Sequence, residues 1–335
     1  MSNNLNVLVL HHNDPDGELA AHLIWKYGEK AIEELCGLEE GEMYKGWLRG
    51  SIDFVPMMYG KPCPKIDEGQ PVVLVDFSFK PDEMAVIQDR TNNKFLWIDH
   101  HRTAIEAVEE HWEEHGHERE IFGVREVGKS ASMLTWEFLV RDPKLDKLYG
   151  RAYLRQKEKM TPPLAVSLVN DWDVWKLEMA GTRSFIAGLR ANDTSPGGKL
   201  WTDMLEGDGG TAILDPYAVV GGMIDEGDIV QKFRERFYYE QGDRIGFDAT
   251  LKGKKCFVVN APGMDSEVFG HRIDNYDVCI MFYYTGECTK FHLYSKTVDV
   301  SELAKCYGGG GHKGAAGFTM PGLMLPFVEM GGRSQ

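Results

Sequence analysis

Paired cysteines are missing from this sequence. Its six cysteines, Cys36, Cys63, Cys256, Cys279, Cys288 and Cys306, make no C-x-x-C pair, and a chain of 335 residues closes a core without cross-links. Reduced thiols packed in the interior are the expectation. Positive charge is scarce as well. Lys and Arg number 37 against 52 Asp and Glu, a formal net charge of −15, which argues against a protein that grips long nucleic acid through its phosphates. A small anionic substrate stays open where a cation offsets the local charge. The amino-terminal stretch MSNNLNVLVLHHND has no basic flank, and its apolar run is too short for a signal peptide or a membrane span. A soluble cytoplasmic protein without a membrane partner is expected, with a homodimer left open. Repeats, low-complexity segments and long charge blocks are lacking too.

What is present is alternation. The runs NVLVL (6–10), PVVLVDF (71–77) and KFLWID (94–99) are β-branched or aromatic without polar alternation, the pattern of parallel strands covered on both faces. Helical patterns separate them. GELAAHLIWKYG (17–28) sets Leu19, Leu23 and Ile24 on one face, DEMAVIQDR (82–90) is shorter, and SASMLTWEFLV (130–140) follows a further strand candidate, EIFGVREV. LAVSLVN is read as another strand. Single cores stop growing below ~300 residues, so two domains are expected. The fold class is α/β: a mainly parallel sheet with helices on both faces over 1–180, a helical connector with SPGG and GDGG over 181–244, and a smaller α+β domain over 245–335.

In open parallel sheets, ligands bind beyond the carboxyl ends of the strands. NVLVL runs into HHNDPDG, which brings His11, His12, Asp14 and Asp16; PVVLV ends in Asp76; KFLWI ends in Asp99, His100 and His101; LAVSLVN ends in Asp171, with Asp173 two residues on. One such aspartate is as readily a turn residue or a helix cap. Four acidic endings, two of them with histidine pairs, exceed what capping needs. Carboxylates gathered at one edge repel unless protonated or neutralised, and a divalent cation neutralises them most directly. Two ions some ~3.5–4 Å apart account for the number of groups. An oxygen-rich set with a minority of imidazole suits manganese or magnesium better than zinc. Hydrolysis of a phosphoester or phosphoanhydride by metal-activated water is the implied reaction.

Other signals compete or add. GVREVGKS (123–130) fits the P-loop pattern and by itself points to an NTPase, but Val, Arg, Glu and Val prefer extended backbone to a phosphate-cradling nest. Ser130 is read instead as the N-cap of the helix that follows. Trp97 is assigned to the core, while Trp172 and Trp175 line the cleft or pack beneath it, packing being the plainer reading. Glycines 308–311 followed by His312 let backbone N–H groups approach a phosphate or base closely; a glycine-terminated helix is the ordinary alternative.

The ordered set HNDPDG, VVLVDFS, WIDHHRT, VNDWD and GGGGHKGAAGF, from residue 12 to 318, resembles the DHH phosphoesterase superfamily, in the subgroup with a carboxyl-terminal DHHA1 domain. Its members include single-strand exonucleases, short-oligonucleotide nucleases, phosphatases of bisphosphorylated adenosine and cyclic-dinucleotide phosphodiesterases. The resemblance implies Asp14, Asp16, Asp76, His100 and Asp171 as ligands of two divalent ions, Mn2+ before Mg2+, with Asp76 shared between them. Asp99 would hold an imidazole of the triplet in its tautomer, and His101 would face the scissile phosphate. His12, four residues before Asp16, counts as a ligand or near neighbour, whereas His11 points to the opposite face and packs. Asp173 stands second to Asp171. Gly309, Gly310, Gly311 and His312 would bind the non-reacting part of a short oligonucleotide, cyclic dinucleotide or nucleotide phosphate. Tyr294 and Ser295 stand where the superfamily usually has Arg-Ser, so this subsite lacks the arginine that would contact the substrate; base stacking on Tyr294, or Lys296 or Arg272 in place of the arginine, would compensate, and an ordinary surface role for each is the equal alternative. A catalytically silent nucleotide-binding module of the same fold is the alternative.

Overall fold

The runs NVLVL, PVVLV and KFLWI lie side by side in one sheet. The computed structural model describes residues 6–38, 51–115, 120–141, 161–206 and 215–329, and the chain divides into two compact units, Met1–Val230 and Gln231–Gln335. In the first, β1 (Val7–His12), β2 (Ile52–Met57), β3 (Val72–Val75) and β4 (Phe95–Ile98) form a parallel sheet in the order β2-β1-β3-β4. The absence of polar alternation has a direct cause: both faces are buried. Val7, Val9, Val73, Val75, Leu96 and Ile98 enter one core with Leu19, Leu23 and Ile24 of α1 (Pro15–Tyr27) and Ile32 of α2 (Glu29–Cys36). Leu8, Leu10, Val72, Leu74, Phe95 and Trp97 enter the other with Met84 and Ile87 of α3 (Pro81–Arg90) and Ile105 and Val108 of α4 (Arg102–His115). Each fully buried side chain of this size contributes roughly 1.5–3 kcal/mol.

Strand order then places the crevice. From β1 the chain steps to β2 on one side and to β3 and β4 on the other, and at such a reversal a cleft opens beyond the strand ends. Helix α5 (Ala131–Arg141) packs against α1. It is followed in the described residues by α6 (Leu164–Asp173), α7 (Thr182–Arg190), α8 (Lys199–Glu206) and α9 (Pro216–Ile245). GDGG lies outside the described residues.

Three elements differ from the sequence reading. LAVSLVN is the helix α6, not a strand: Ala165, Val166, Leu168 and Val169 are buried while Leu164, Ser167 and Asn170 are partly exposed, a helical three-residue spacing too short in sequence to stand out from an apolar strand. EIFGVREV makes only isolated bridges to β4, Phe122 to Leu96 and Arg125 to Asp99. Gly123 interrupts the ladder at φ +127°, where a Cβ would meet the Trp97 carbonyl oxygen at 2.2 Å. Strand β2 has no counterpart in the sequence reading, because Asp53 and Pro56 break its apolar run; proline is tolerated there since β2 is an edge strand.

In the second unit β5 (Phe247–Leu251), β6 (Lys254–Asn260), β7 (Val278–Tyr284), β8 (Cys288–Tyr294), β9 (Gly310–His312), β10 (Ala315–Pro321) and β11 (Val328–Glu329) form a sheet in the order β11-β5-β6-β7-β8-β10-β9. Only the β6–β7 pair among its described ladders is parallel. Val258, Ile280, Phe291 and Phe318 pack with Val300 and Ala304 of α10 (Val300–Lys305) on one face. Phe257, Val259, Phe269 and Met281 fill the other. The architecture is an α/β unit with a parallel sheet followed by a smaller α+β unit. All six cysteines are free, with Cys256 and Cys279 buried and Cys306 exposed. No helix among the described residues is long and apolar enough to cross a membrane.

Candidate metal centre

Neighbouring strand ends bring their polar residues together. After β1, Asp14 caps α1, accepting from the Gly17 amide at 3.0 Å on Oδ1 and from His12 Nδ1 at 2.6 Å on Oδ2. Glycine is needed at 17 because a Cβ there would meet the His12 carbonyl oxygen at 2.4 Å, so the first turn of α1 lies directly on the strand end. Asp76, after β3, sits at φ +56°. This left-handed backbone costs most residues roughly 1–2 kcal/mol and aspartate less. After β4, buried Asp99 accepts on Oδ1 from the amides of His100 and His101 and from His101 Nδ1 at 2.8 Å, and on Oδ2 from Trp97 Nε1. Its oxygens are used up in aiming the His101 imidazole and holding the backbone of both histidines.

Those imidazoles meet carboxylates. His100 Nε2 lies 3.1 Å from Asp76 Oδ1, 3.3 Å from Asp173 Oδ2 and 4.0 Å from Asp16 Oδ2. His12 Nδ1 is 3.7 Å from Asp76 Oδ2. Three overlapping triads result, namely Asp76, His100 and His101; His12, Asp14 and Asp76; and Asp16, His100 and Asp173. Within each, the ligand atoms all lie within 4.8 Å of one another. Asp76 and His100 each belong to two of them.

The electrostatics ask for a cation. Asp76 Oδ2 and Asp173 Oδ2 are buried and accept no hydrogen bond, a costly state for a carboxylate oxygen. Burial, with Asp16 beside it, raises Asp76 well above the ordinary carboxylate range. Burial and then Asp16 and Asp76 push Asp173 up to about 8, and burial raises Asp16 as well. The hydrogen bond to Asp14, with the Asp76 carboxylate close by, lifts His12 to about 10. Burial works upward on Asp14 too, but the His12 contacts and the Gly17 amide outweigh it and leave Asp14 lowered. The bond to Asp99 raises His101. An oxygen-rich donor set with two orphaned oxygens fits a divalent ion of the manganese or magnesium kind.

One sequence assignment is corrected. Side chains two residues apart on a helix diverge by about 200°, so α6 cannot aim both Asp171 and Asp173 at the centre. Asp173 faces it. Asp171 instead accepts from the amides of Glu178 and Met179 at 3.0 and 3.1 Å and from Thr182 Oγ1 at 2.6 Å, clasping the loop after α6. Burial acts upward on this carboxyl, and those donors outweigh it and lower its pKa. The available signal was Pro162-Pro163: a proline just before an apolar run marks a helix start, and Pro163 is the N-cap of α6. His11 packs beside Phe54 with Nδ1 on the His12 carbonyl.

The P-loop reading meets a filled site. The amides of Ala131 and Ser132, which open α5, donate to Asp16 Oδ2 and Oδ1 at 2.6 and 2.9 Å, so this chain's own carboxylate occupies the place of a phosphate. Lys129 pairs with Glu137 and Glu126. Ser130 Oγ accepts from the Met133 amide, the capping role expected of it.

In the second unit, β9 carries Gly310, Gly311 and His312 along an exposed sheet edge, paired only with β10. A Cβ at Gly309 would meet the Gly317 carbonyl oxygen at 2.1 Å and one at Gly311 the Ala316 Cα at 2.6 Å, whereas Gly310 faces open space. Packing alone therefore accounts for two of these glycines. Tyr294 is half-buried against Phe269. Lys296 pairs with Asp274, and Arg272 is buried, paired with Asp243 and stacked on Tyr239 and Phe257. Both cations are thus engaged within their own unit.

No family model matches the chain. An uncharacterized protein of Acanthamoeba polyphaga mimivirus is 22% identical over 345 residues, spanning 97% of this chain and 70% of that protein. A solved DHH domain from a member of the s1p family of ribosomal proteins aligns with a TM-score of 0.49 at 14% identity, covering 95% of this chain and 83% of that one. The exonuclease RecJ bound to manganese aligns with a TM-score of 0.43 at 14% identity, covering 94% and 86%. In the order of its motifs the chain resembles the DHH/DHHA1 phosphoesterase superfamily.

Proposed function

We propose that this chain is a divalent-metal-dependent phosphohydrolase acting on short oligonucleotides, cyclic dinucleotides or nucleotide phosphates, 3′-5′ exonuclease action on short substrates included. Asp76 carries the reading: a carboxylate buried at the sheet's switch point, one oxygen without a donor, between two imidazoles and within reach of three further acids. His12, Asp14, Asp16, Asp76, His100 and Asp173 would hold two ions, Mn2+ before Mg2+. When bound, such ions supply charge neutralisation and Lewis acidity towards a phosphoryl group.

The chain's own residues do the rest. Asp99 takes the Nδ1–H of His101 and so leaves Nε2 free to meet a phosphoryl or leaving oxygen, and the same bond raises the pKa of the imidazole. The amides of Gly309, Gly310 and Gly311, with His312, would hold the non-reacting end of the substrate. Hydrolysis of di-, tri- and pentanucleotides, cyclic dinucleotides, adenosine bisphosphate and bis(p-nitrophenyl) phosphate with Mn2+ tests the proposal. At least one should be cleaved, and Asp76→Ala should bring both cleavage and calorimetric Mn2+ binding to background. A protein that binds Mn2+ tightly and cleaves none of them would be a binding module.

A further inference from the structure

The end of α6, the loop that leaves it and α7 display aromatic and cationic side chains near the metal-centre residue Asp173. Trp172, next to Asp173, packs edge to face on Trp175 with ring centroids 5.0 Å apart. The Arg190 guanidinium lies over the Trp172 ring at 5.4 Å and that of Arg183 over the Trp175 ring at 5.7 Å. An array of cation, indole, indole and cation results. Among the described residues neither guanidinium is held by a carboxylate.

Trp175 belongs to neither hydrophobic core of its unit. It is 63% exposed, and its backbone sits at φ +56°, a true outlier for a bulky side chain. The turn is nonetheless fixed, because the Trp175 amide donates to the Trp172 carbonyl and Asp171 clasps the amides of Glu178 and Met179 beyond it. Asp171, displaced from the metal centre, thus holds the loop that presents the indole. Strain kept at an exposed aromatic is a mark of use rather than of packing. Arg190 of this array and Asp14 of the metal centre line one cavity of about 260 Å³ together with Asn13, Glu18, Asn192 and Thr194.

We propose that Trp172 and Trp175 form a stacking platform for a nucleobase of the substrate, with Arg190 and Arg183 meeting its phosphates. The inference rests on the phosphohydrolase reading and narrows it to substrates that carry a base. An indole face rewards any base and offers nothing to bare polyphosphate. Two guanidiniums that no carboxylate among the described residues holds supply local positive charge in a chain of net charge −15.

The test compares the wild type with Trp175→Ala and Trp175→Phe. Binding of adenosine and an adenylyl dinucleotide is read by quenching of tryptophan fluorescence with Mg2+ present, and hydrolysis of the dinucleotide and of tripolyphosphate is followed with Mn2+. Loss of one base–aromatic stack should weaken dinucleotide binding in Trp175→Ala by about 5- to 150-fold. KM for the dinucleotide should rise while kcat changes little, its kcat/KM should fall relative to that for tripolyphosphate, and phenylalanine should restore part of the loss. Unaltered dinucleotide affinity and KM in Trp175→Ala would overturn the platform while leaving hydrolysis intact. Nucleotide binding that Trp175→Ala abolishes, in a protein that cleaves no phosphate ester, would sink the hydrolase reading and keep the platform.

Discussion

The strand ends of the first sheet and the glycine edge of the second approach ligand chemistry from opposite sides. At the first, most polar groups are braced by another: Asp99 aims His101, the opening of α5 holds Asp16, and Asp14 holds His12. At the second, His312 is exposed and the glycines offer bare backbone. A centre that gathers like charges out of water needs a rigid frame and leaves orphaned oxygens for a cation to satisfy. An edge that meets its ligand with amides needs only side chains removed.

The sharpest way to break that contrast lies within α6, where two aspartates have opposite duties. Asp173→Asn should cost Mn2+ affinity at least the 10–100-fold typical of changes to the groups around a bound metal, with the melting temperature of the metal-free protein held or raised. Asp171→Asn should do the reverse. It replaces a carboxylate that satisfies three donors, at a cost of about 1–3 kcal/mol in stability, and should leave Mn2+ affinity near wild type by calorimetry. Loss of affinity at Asp171 without loss of stability would reverse the assignment.

This pair also marks how far the sequence could be read. Strands β1, β3 and β4 were legible because burial on both faces removes polar alternation, and the acids at their ends stood out against it. Helix α6 was misread because only Ser167 and Asn170 mark its helical period within a short apolar run, and the error passed directly to its aspartate. The hold of α5 on Asp16 links positions 115 and 116 residues apart, which no local pattern reports. Strand β2 was hidden by Asp53 and Pro56, tolerable only because it lies at the sheet edge.

A smaller effect separates the two regions by pH. In the metal-free protein Asp173 holds its proton up to about 8 and His12 up to about 10, whereas both release it earlier when unfolded. The native state therefore binds more protons across that interval, and the stability these groups contribute is present at low pH and lost as pH rises through their folded values. Melting of the metal-free protein should show stability falling between pH 6 and 9, by up to about 1.4 kcal/mol per pH unit for each group. Saturating Mn2+ should flatten the profile, because a cation takes the place of the protons. A profile that rises with pH in the absence of metal would mean that the acids are not crowded as described.

The smallest expected effect bears on the glycine edge, where packing and binding predict different substitutions to be harmful. Gly309 and Gly311 cannot accept a Cβ without striking β10, so alanine at either position perturbs the fold whether or not a ligand is held there. Gly310 is free of that constraint, for a methyl group would enter open space and its φ is not in the left-handed region. Gly310→Ala should therefore leave stability within about 0.5 kcal/mol, as exposed substitutions do. If backbone amides along this edge meet the substrate, the added methyl stands in the way of that approach and should raise KM by about 5- to 10-fold, on the order of one lost hydrogen bond. An unchanged KM would make the glycines a packing device for β9 against β10. Recognition would then rest with the first unit, where Arg190 and the metal-centre residue Asp14 line one cavity.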